Sequence, residues 1–337
     1  MSASAQQVPV APTGRMPSRG GGRPSLTIGV DIGGTKVAAG VVDESGTIVA
    51  AIRRETPADD SSRTQDVIVS AVTELACEYD VEAVGLGAAG FVDEHRATVL
   101  FAPNIAWRGE ALRTSLQQRL GLPVVVENDA NAAAWAEVRF GAARGEEHVV
   151  ILTVGTGIGG GIVLNGRVLR GRFGVAAEIG HLNMVPDGLV CGCGLRGCWE
   201  QYASGRALLL HAQDLARRSP ELAGELLRLA GGRPECITGE MVTRAGEAGD
   251  TAALRSFTEI GTWLGRGLAQ LAAILDPALF VIGGGVSTAG EMLRRPAAQT
   301  FRSFLTGAGH RPAAQVRIAE LGHEAGLIGA ADLARMR

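Results

Sequence analysis

His181, Cys191, Cys193 and Cys198 follow one another with the spacing H-x9-C-x-C-x4-C, and Gly192, Gly194 and Gly197 let the chain between them wrap around one ion. Three thiolates and one imidazole make a closed tetrahedral set for Zn2+. A closed set is structural, because it leaves no position for a reactive water. Cys77 and Cys236 stand alone, so the five cysteines do not form a disulfide framework, and the grouped thiols fit a metal site in a reducing compartment.

Two glycine-rich turns are the next candidates. Asp31-Ile32-Gly33-Gly34-Thr35 lies between two apolar runs, where adjacent glycines let backbone N–H groups point into a cleft and hold phosphate oxygens. Asp31 at the strand end is placed to hold Mg2+ through water, and the Thr35 hydroxyl is a further donor. The same residues also suit a plain hairpin turn needing φ > 0. Lys36, next along, faces either the phosphates or solvent, since side chains alternate along a strand.

Gly155 to Gly161 contains G-x-G-x-x-G at Gly155, Gly157 and Gly160, but a dinucleotide fingerprint has to open a helix. Here Ile162-Val163-Leu164 reads as strand and Asn165-Gly166 as a hairpin turn, so a second phosphate-holding hairpin that includes Thr156 and Gly157 is expected. Gly283-Gly284-Gly285 either lets a flat ligand such as adenine approach the backbone or is a strand-to-helix turn. Glu127-Asn128-Asp129 ends a buried run just ahead of an Ala-rich helix, at the edge where ligands of α/β sheets collect. Asn128 or Asp129 also makes a good N-cap, and capping does not prevent a residue from facing a cleft.

The elements that must hold these residues repeat. Strands are expected at 26–31, 36–43 and 47–53, a helix at 59–79 capped by Asp59 or Asp60, a strand at 81–87, a helix at 109–120, a strand at 123–127 and a helix at 130–140. The pattern then restarts with strands at 149–154, 158–164 and 168–170. A shift of 122 residues carries Gly33 onto Gly155 and Thr35 onto Gly157. Helices are expected at 201–218, 221–229 and 252–275, a strand at 279–282 and a last helix at 324–336. The reading is α/β with two lobes, each an antiparallel hairpin feeding an α/β sheet.

Composition narrows the class. At 337 residues two domains are expected. A chain that is 46% hydrophobic and 20% charged has material for a core. A net charge of −3 argues against a surface built wholly for polyanions. No apolar run approaches the ~18 residues of a membrane span. Residues 1–25, rich in Pro, Gly, Ser and Ala, carry no basic-then-apolar signal and are expected to be a disordered leader of a cytoplasmic protein.

D-x-G-G-T at Asp31 to Thr35, E-x-G-H at Glu178 to His181 and C-G-C-G-x-x-G-C-x-E at Cys191 to Glu200 resemble, in order, the ROK family of sugar kinases and repressors, from about Leu26 to the C-terminus. Ala177 stands where many members have Gly. Trp199-Glu200-Gln201-Tyr202-Ala203-Ser204-Gly205 strengthens the likeness to the actinobacterial ATP-dependent glucokinases of that family. The resemblance implies an actin/hexokinase-like (ribonuclease H-like) fold with duplicated βββαβαβα lobes and a cleft between them. The lobes would be 26–128 plus 323–337 and, larger and bearing the zinc loop, 129–322.

It further implies ATP-dependent phosphorylation of the glucose 6-hydroxyl, with Asp129 as general base. Asn104, Asn128, Asp129, Glu178, His181 and Glu200 would bind the sugar. Asp31, Gly33, Gly34, Thr35, Lys36, Thr156 and Gly157 would surround the ATP phosphates with Mg2+, Gly283, Gly284 and Gly285 would lie near the nucleoside, and His181, Cys191, Cys193 and Cys198 would hold structural Zn2+. A homodimer or homotetramer is implied, with no nucleic acid or membrane partner. Alternatives are another hexose (N-acetylmannosamine, fructose, mannose or allose), polyphosphate as donor, or a sugar-sensing repressor. The repressor would need a helix-turn-helix domain, for which the 25 residues ahead of the first strand are too few.

Overall fold

The computed structural model describes residues 25–336. The expected leader, apart from Ser25, lies outside them. The chain runs β1 (Leu26–Ile32), β2 (Lys36–Val42), β3 (Ile48–Glu55), α1 (Ser61–Glu78), β4 (Val81–Ala88), β5 (Phe91–Val92), β6 (Val99–Phe101), β7 (Arg108–Glu110), α2 (Leu112–Leu120), β8 (Val124–Asn128) and α3 (Asp129–Phe140). It continues through β9 (Val149–Val154), β10 (Ile158–Leu164), β11 (Arg167–Val168), α4 (Glu200–Ala203), α5 (Gly205–Arg218), α6 (Gly224–Leu229), α7 (Gly239–Glu247) and α8 (Thr251–Leu275). The last elements are β12 (Leu279–Gly283), α9 (Glu291–Phe304), β13 (Gln315–Ile318) and α10 (Ala325–Arg335).

Two five-stranded sheets carry the same order, β3-β2-β1-β4-β8 and β11-β10-β9-β12-β13. In each, the central strand pairs antiparallel with its hairpin partner and parallel with the next strand, as β1 does with β2 and β4, and β9 with β10 and β12. Strand β12 reads as an unbroken apolar run, and β4 as one interrupted only by the exposed Glu82, because both their faces are covered. A small sheet, β5-β6-β7, is inserted between β4 and α2.

Helices α3 and α10 pass between the sheets and fix their relation. An added Cβ at Gly29 or Gly85 would fall 1.9 Å from the Leu327 carbonyl oxygen or 1.8 Å from that of Ala330, so α10 lies on β1 and β4 as only glycine permits. Gly329 of α10 meets α3 in the same way, at the Ala132 carbonyl. Buried Asp332 joins the two helices by accepting from Trp135 Nε1 at 2.8 Å and Arg139 Nε at 3.0 Å. Among the described residues no helix is long and apolar enough to cross a membrane.

Several expected elements are corrected. The helix expected at 201–218 is broken at Ser204, whose hydroxyl caps α5 by accepting from Ala207 N, while Gly205 N donates to the Gly155 carbonyl of the second hairpin. The 109–120 helix starts only at Leu112, because Arg108–Glu110 pairs with β6 and Gly109 is left-handed at φ +68°. The third strand of the second half is only Arg167–Val168, and the 221–229 helix is a 3-10 turn followed by α6. The Asp60 side chain, not that of Asp59, caps α1 by accepting from Arg63 N.

Candidate active site

Asp129 is the first residue of α3, directly after β8, and Asn128 is the cap: its Oδ1 accepts from Asn131 N at 3.0 Å and its Nδ2 donates to the Gly90 carbonyl at 3.1 Å. The N-cap expectation therefore falls on Asn128. The capping bonds leave the amide's remaining hydrogen-bonding capacity for a cavity of about 510 Å3, which both residues line. Glu178, His181 and Glu200 line the same cavity, with Gly159 and Gly160 of β10. Five of the six residues expected to bind sugar are thus gathered in one place from three distant segments. Asn104, the sixth, is exposed one residue beyond the cavity-lining Pro103 and lies against Gly34, where an added Cβ would fall 2.9 Å from its own.

Gly34, Gly157 and Gly180 are there for close approach. Gly33, Gly34, Gly155 and Gly157 are not among the glycines with positive φ, so of the two readings of Asp31 to Thr35 the turn needing φ > 0 is not formed. At Gly157 a Cβ would lie 2.4 Å from Glu200 Oε2, and at Gly180, the glycine of E-x-G-H, 2.1 Å from the Ile158 carbonyl. Gly180 is what lets the turn bearing Glu178 and His181 press onto β10. Glu200 Oε2 also accepts from Ile158 N at 3.4 Å, tying the start of α4 to the second hairpin.

Burial sets the electrostatics. The Asp129 carboxyl is pushed up to about 6, first by burial and then by the negative charge of Asp31. Asp31, which lies against Gly326 at the start of α10, is also pushed up to about 6 by burial. Glu178 is raised by burial and by Asp129 and Glu200, against an opposing effect of His181. Asp129 at the start of α3 and Asp31 against the start of α10 thus line neighbouring cavities, each with its carboxyl pushed up to about 6.

The ligating atoms of His181, Cys191, Cys193 and Cys198 all lie within 4.8 Å of one another. Cys193 Sγ is 3.6 Å from Cys198 Sγ, and Cys191 Sγ is 3.7 Å from His181 Nδ1. Donors ~2.3 Å from a tetrahedral Zn2+ are ~3.7 Å apart along an edge, so the residues fit that ion. The nitrogen turned to the cluster is Nδ1, which leaves Nε2 for the cavity that His181 also lines. Gly197, at φ +77°, packs where a Cβ would fall 1.8 Å from the Val185 carbonyl, so the loop closes only with glycine there.

Asp31, Gly33, Thr35 and Lys36 line a neighbouring cavity of about 360 Å3 with Arg53 and His323, and Lys36 is exposed at its rim. The Asp31 carboxyl accepts no hydrogen bond among the described residues, and it is held above its usual range by burial alone, so a bound cation would favour its ionised form. Of the Gly283 run, Gly285 lines a third cavity of about 370 Å3 with Gly205, Val286 and residues of α7, whereas Gly284, at φ +83°, packs under the Val154 backbone. Thr156 is exposed at the tip between β9 and β10.

Sequence reasoning passed over Phe91 and Phe101, whose rings, 6.1 Å apart, form an apolar wall of the 510 Å3 cavity. In a chain with only 4% aromatics, two Phe shortly ahead of Pro103-Asn104 were the available signal.

Two sheets of one topology, bridged by crossing helices, with acids at their strand ends lining neighbouring cavities, define a protein of the actin/hexokinase-like fold. Within that fold the chain belongs to the ROK family, which residues 27–337 match. It is 52% identical to a glucokinase of Streptomyces coelicolor over 92% of this chain and 98% of that one. It is 35% identical to an N-acetylmannosamine kinase of Salmonella typhi over 92% and 98%. A crystal structure of a ROK family glucokinase from Streptomyces griseus in complex with glucose and AMPPNP superposes with a TM-score of 0.86, at 56% identity, over 93% of this chain and all of that one.

Proposed function

We propose that the protein is a glucokinase, which transfers the γ-phosphoryl group of ATP to the 6-hydroxyl of glucose. The observation that carries the reading is the seat of Asp129: a buried carboxyl at the start of α3, on the wall of a cavity shared with Asn128, Glu178, His181, Glu200 and the hairpin glycines Gly159 and Gly160. The curated and solved glucokinases at 52% and 56% identity support the choice of substrate pair.

In this reading glucose lies against Phe91 and Phe101 through its apolar C–H faces, while the Glu and Asn side chains and His181 Nε2–H meet its hydroxyls. Asp129 accepts the 6-hydroxyl proton as that oxygen forms its bond to the γ-phosphorus. The bond from the γ-phosphorus to the bridging oxygen breaks, giving glucose 6-phosphate and ADP, and Asp129 then returns its proton to solvent. A carboxyl raised to about 6 is a stronger base than an ordinary aspartate and is still ionised at neutral pH.

The β1–β2 and β9–β10 hairpins hold the phosphates in line through backbone N–H groups, with Lys36 adding charge, and the nucleoside extends toward Gly285. Mg2+, which neutralises phosphate charge when bound, would be held by Asp31 through water. Zn2+ at His181, Cys191, Cys193 and Cys198 would cross-link the loop and fix the His181 ring with Nε2–H toward the sugar.

The test is ADP formation across a panel of glucose, N-acetylmannosamine, fructose, mannose and allose, with ATP and polyphosphate as alternative donors. The reading expects the highest kcat/KM with glucose and ATP. A higher kcat/KM for another sugar, or turnover only with polyphosphate, overturns it.

A further inference from the structure

Glu127 precedes Asn128 and Asp129 in β8 and is 2% exposed, although it carries a charge. A buried carboxylate has to be paired and hydrogen-bonded. Its Oε2 lies 2.6 Å from Arg170 Nη2, 2.8 Å from Arg170 Nε and 3.3 Å from Arg96 Nε. Its Oε1 accepts from Asn128 N and from Asn131 Nδ2, each at 3.1 Å. The carboxylate therefore fastens the β8–α3 junction, where the proposed base stands, and counters two guanidinium groups that belong to two other segments.

Each of those segments builds a different wall of the sugar cavity. Arg96 is at the tip of the β5–β6 hairpin, whose stem presents Phe91 and Phe101. It is held at φ +55°, a conformation costly for a non-glycine residue, and its carbonyl accepts from Val126 N of β8 at 3.1 Å. Its Nε and Nη2 are buried without a hydrogen-bond partner, so Glu127 is the counter-charge that makes this placement tolerable. Arg170 opens the segment 170–178 that ends at Glu178, and its carbonyl accepts from Ala176 N at 3.0 Å. That segment also packs on the hairpin, since a Cβ at Gly174 would fall 2.2 Å from the Val92 carbonyl.

We propose that Glu127 is a positioning residue for the transfer: by pairing with Arg96 and Arg170 it locks the aromatic wall, the Glu178 segment and the Asp129 junction into the one arrangement that binds glucose. The proposal rests on the glucokinase reading. Glu127 does not touch the sugar and acts through these three segments. Nucleotide contacts at the hairpins and at Gly285 arise from other elements, so the effect is specific to the sugar.

The test compares the parent with E127Q, R170M, the double variant and R170K, reading zinc content, glucose Kd by calorimetry without ATP, and KM for each substrate with kcat. E127Q is expected to weaken glucose binding about tenfold or more and to lower kcat, with the KM for ATP within about twofold of the parent, since a displacement near 1 Å costs up to ~10²-fold. The double variant should match the worse single variant instead of multiplying the two losses, because the residues act as one unit. R170K, which keeps the charge but loses the two-point contact, should fall between parent and R170M. A glucose Kd in E127Q within twofold of the parent, multiplying losses in the double variant, or an equal rise in both KM values overturns the proposal. If E127Q does not fold, R170K decides by the same measurements, a parental glucose Kd counting against. A parent that phosphorylates no glucose overturns the functional reading instead.

Discussion

Lowering the pH from 7 to 5 separates a raised Asp129 from an ordinary one. With its carboxyl near 6, about one molecule in eleven is ionised at pH 5, so kcat/KM for glucose should fall about tenfold from its plateau. Had the carboxyl stayed at 3.8, about 94% would remain ionised at pH 5 and the loss would be about 6%. The assay is direct chromatographic measurement of ADP at saturating Mg2+ and ATP from pH 4.5 to 8, which avoids pH-sensitive coupling enzymes. Asp31→Asn is the control. The negative charge of Asp31 raises Asp129, so its removal lowers the Asp129 carboxyl and moves the acid limb to lower pH, whereas a limb arising from titration of ATP stays in place. Near-full activity at pH 5, or a limb unmoved in Asp31→Asn, refutes the argument.

Asp129→Asn should raise the Tm at pH 7. A carboxyl raised by folding binds its proton more tightly folded than unfolded, so it works against stability increasingly from about pH 4 to about 6 and constantly above that. Calorimetric scans at pH 4, 5 and 7 should show the gain growing with pH; a gain largest at pH 4 contradicts the burial argument. Cys193→Ser should lose bound zinc and most activity, because ~10 kcal/mol or more of metal binding supports the loop that bears His181 and Glu200. Elemental analysis with activity measurement checks this, and a metal-free variant at parental turnover would count against the site.

The doubled architecture was legible because its signals are local: glycine turns between apolar runs, the Asn165-Gly166 hairpin and a 122-residue shift that superposes them. The His181–Cys191–Cys193–Cys198 cluster was legible for the same reason, its members lying close together in the chain. Elements whose signals are weak or interrupted were missed. Helix α9 contains Pro296, β13 is a short strand with only Val316 fully buried, and β5 to β7 are two or three residues each. The break at Ser204 arises from a contact with Gly155, far away in sequence. Of the two readings of Gly33 and Gly34, the turn needing φ > 0 is not the one formed, and Gly34 instead makes room for Asn104, which only tertiary packing reveals. Glu127 was visible as an acid before Asn128 and Asp129, but its partners Arg96 and Arg170 are set by how the hairpin and the 170–178 segment fold over β8.

The central claim is that Asp129 takes the proton from a bound glucose hydroxyl. Its most direct test is kcat of Asp129→Ala with glucose and ATP, measured beside calorimetric glucose binding and zinc content. The account predicts kcat lower by at least ~10²-fold, with glucose still bound and zinc retained. A variant that turns over at near the parental rate contradicts it.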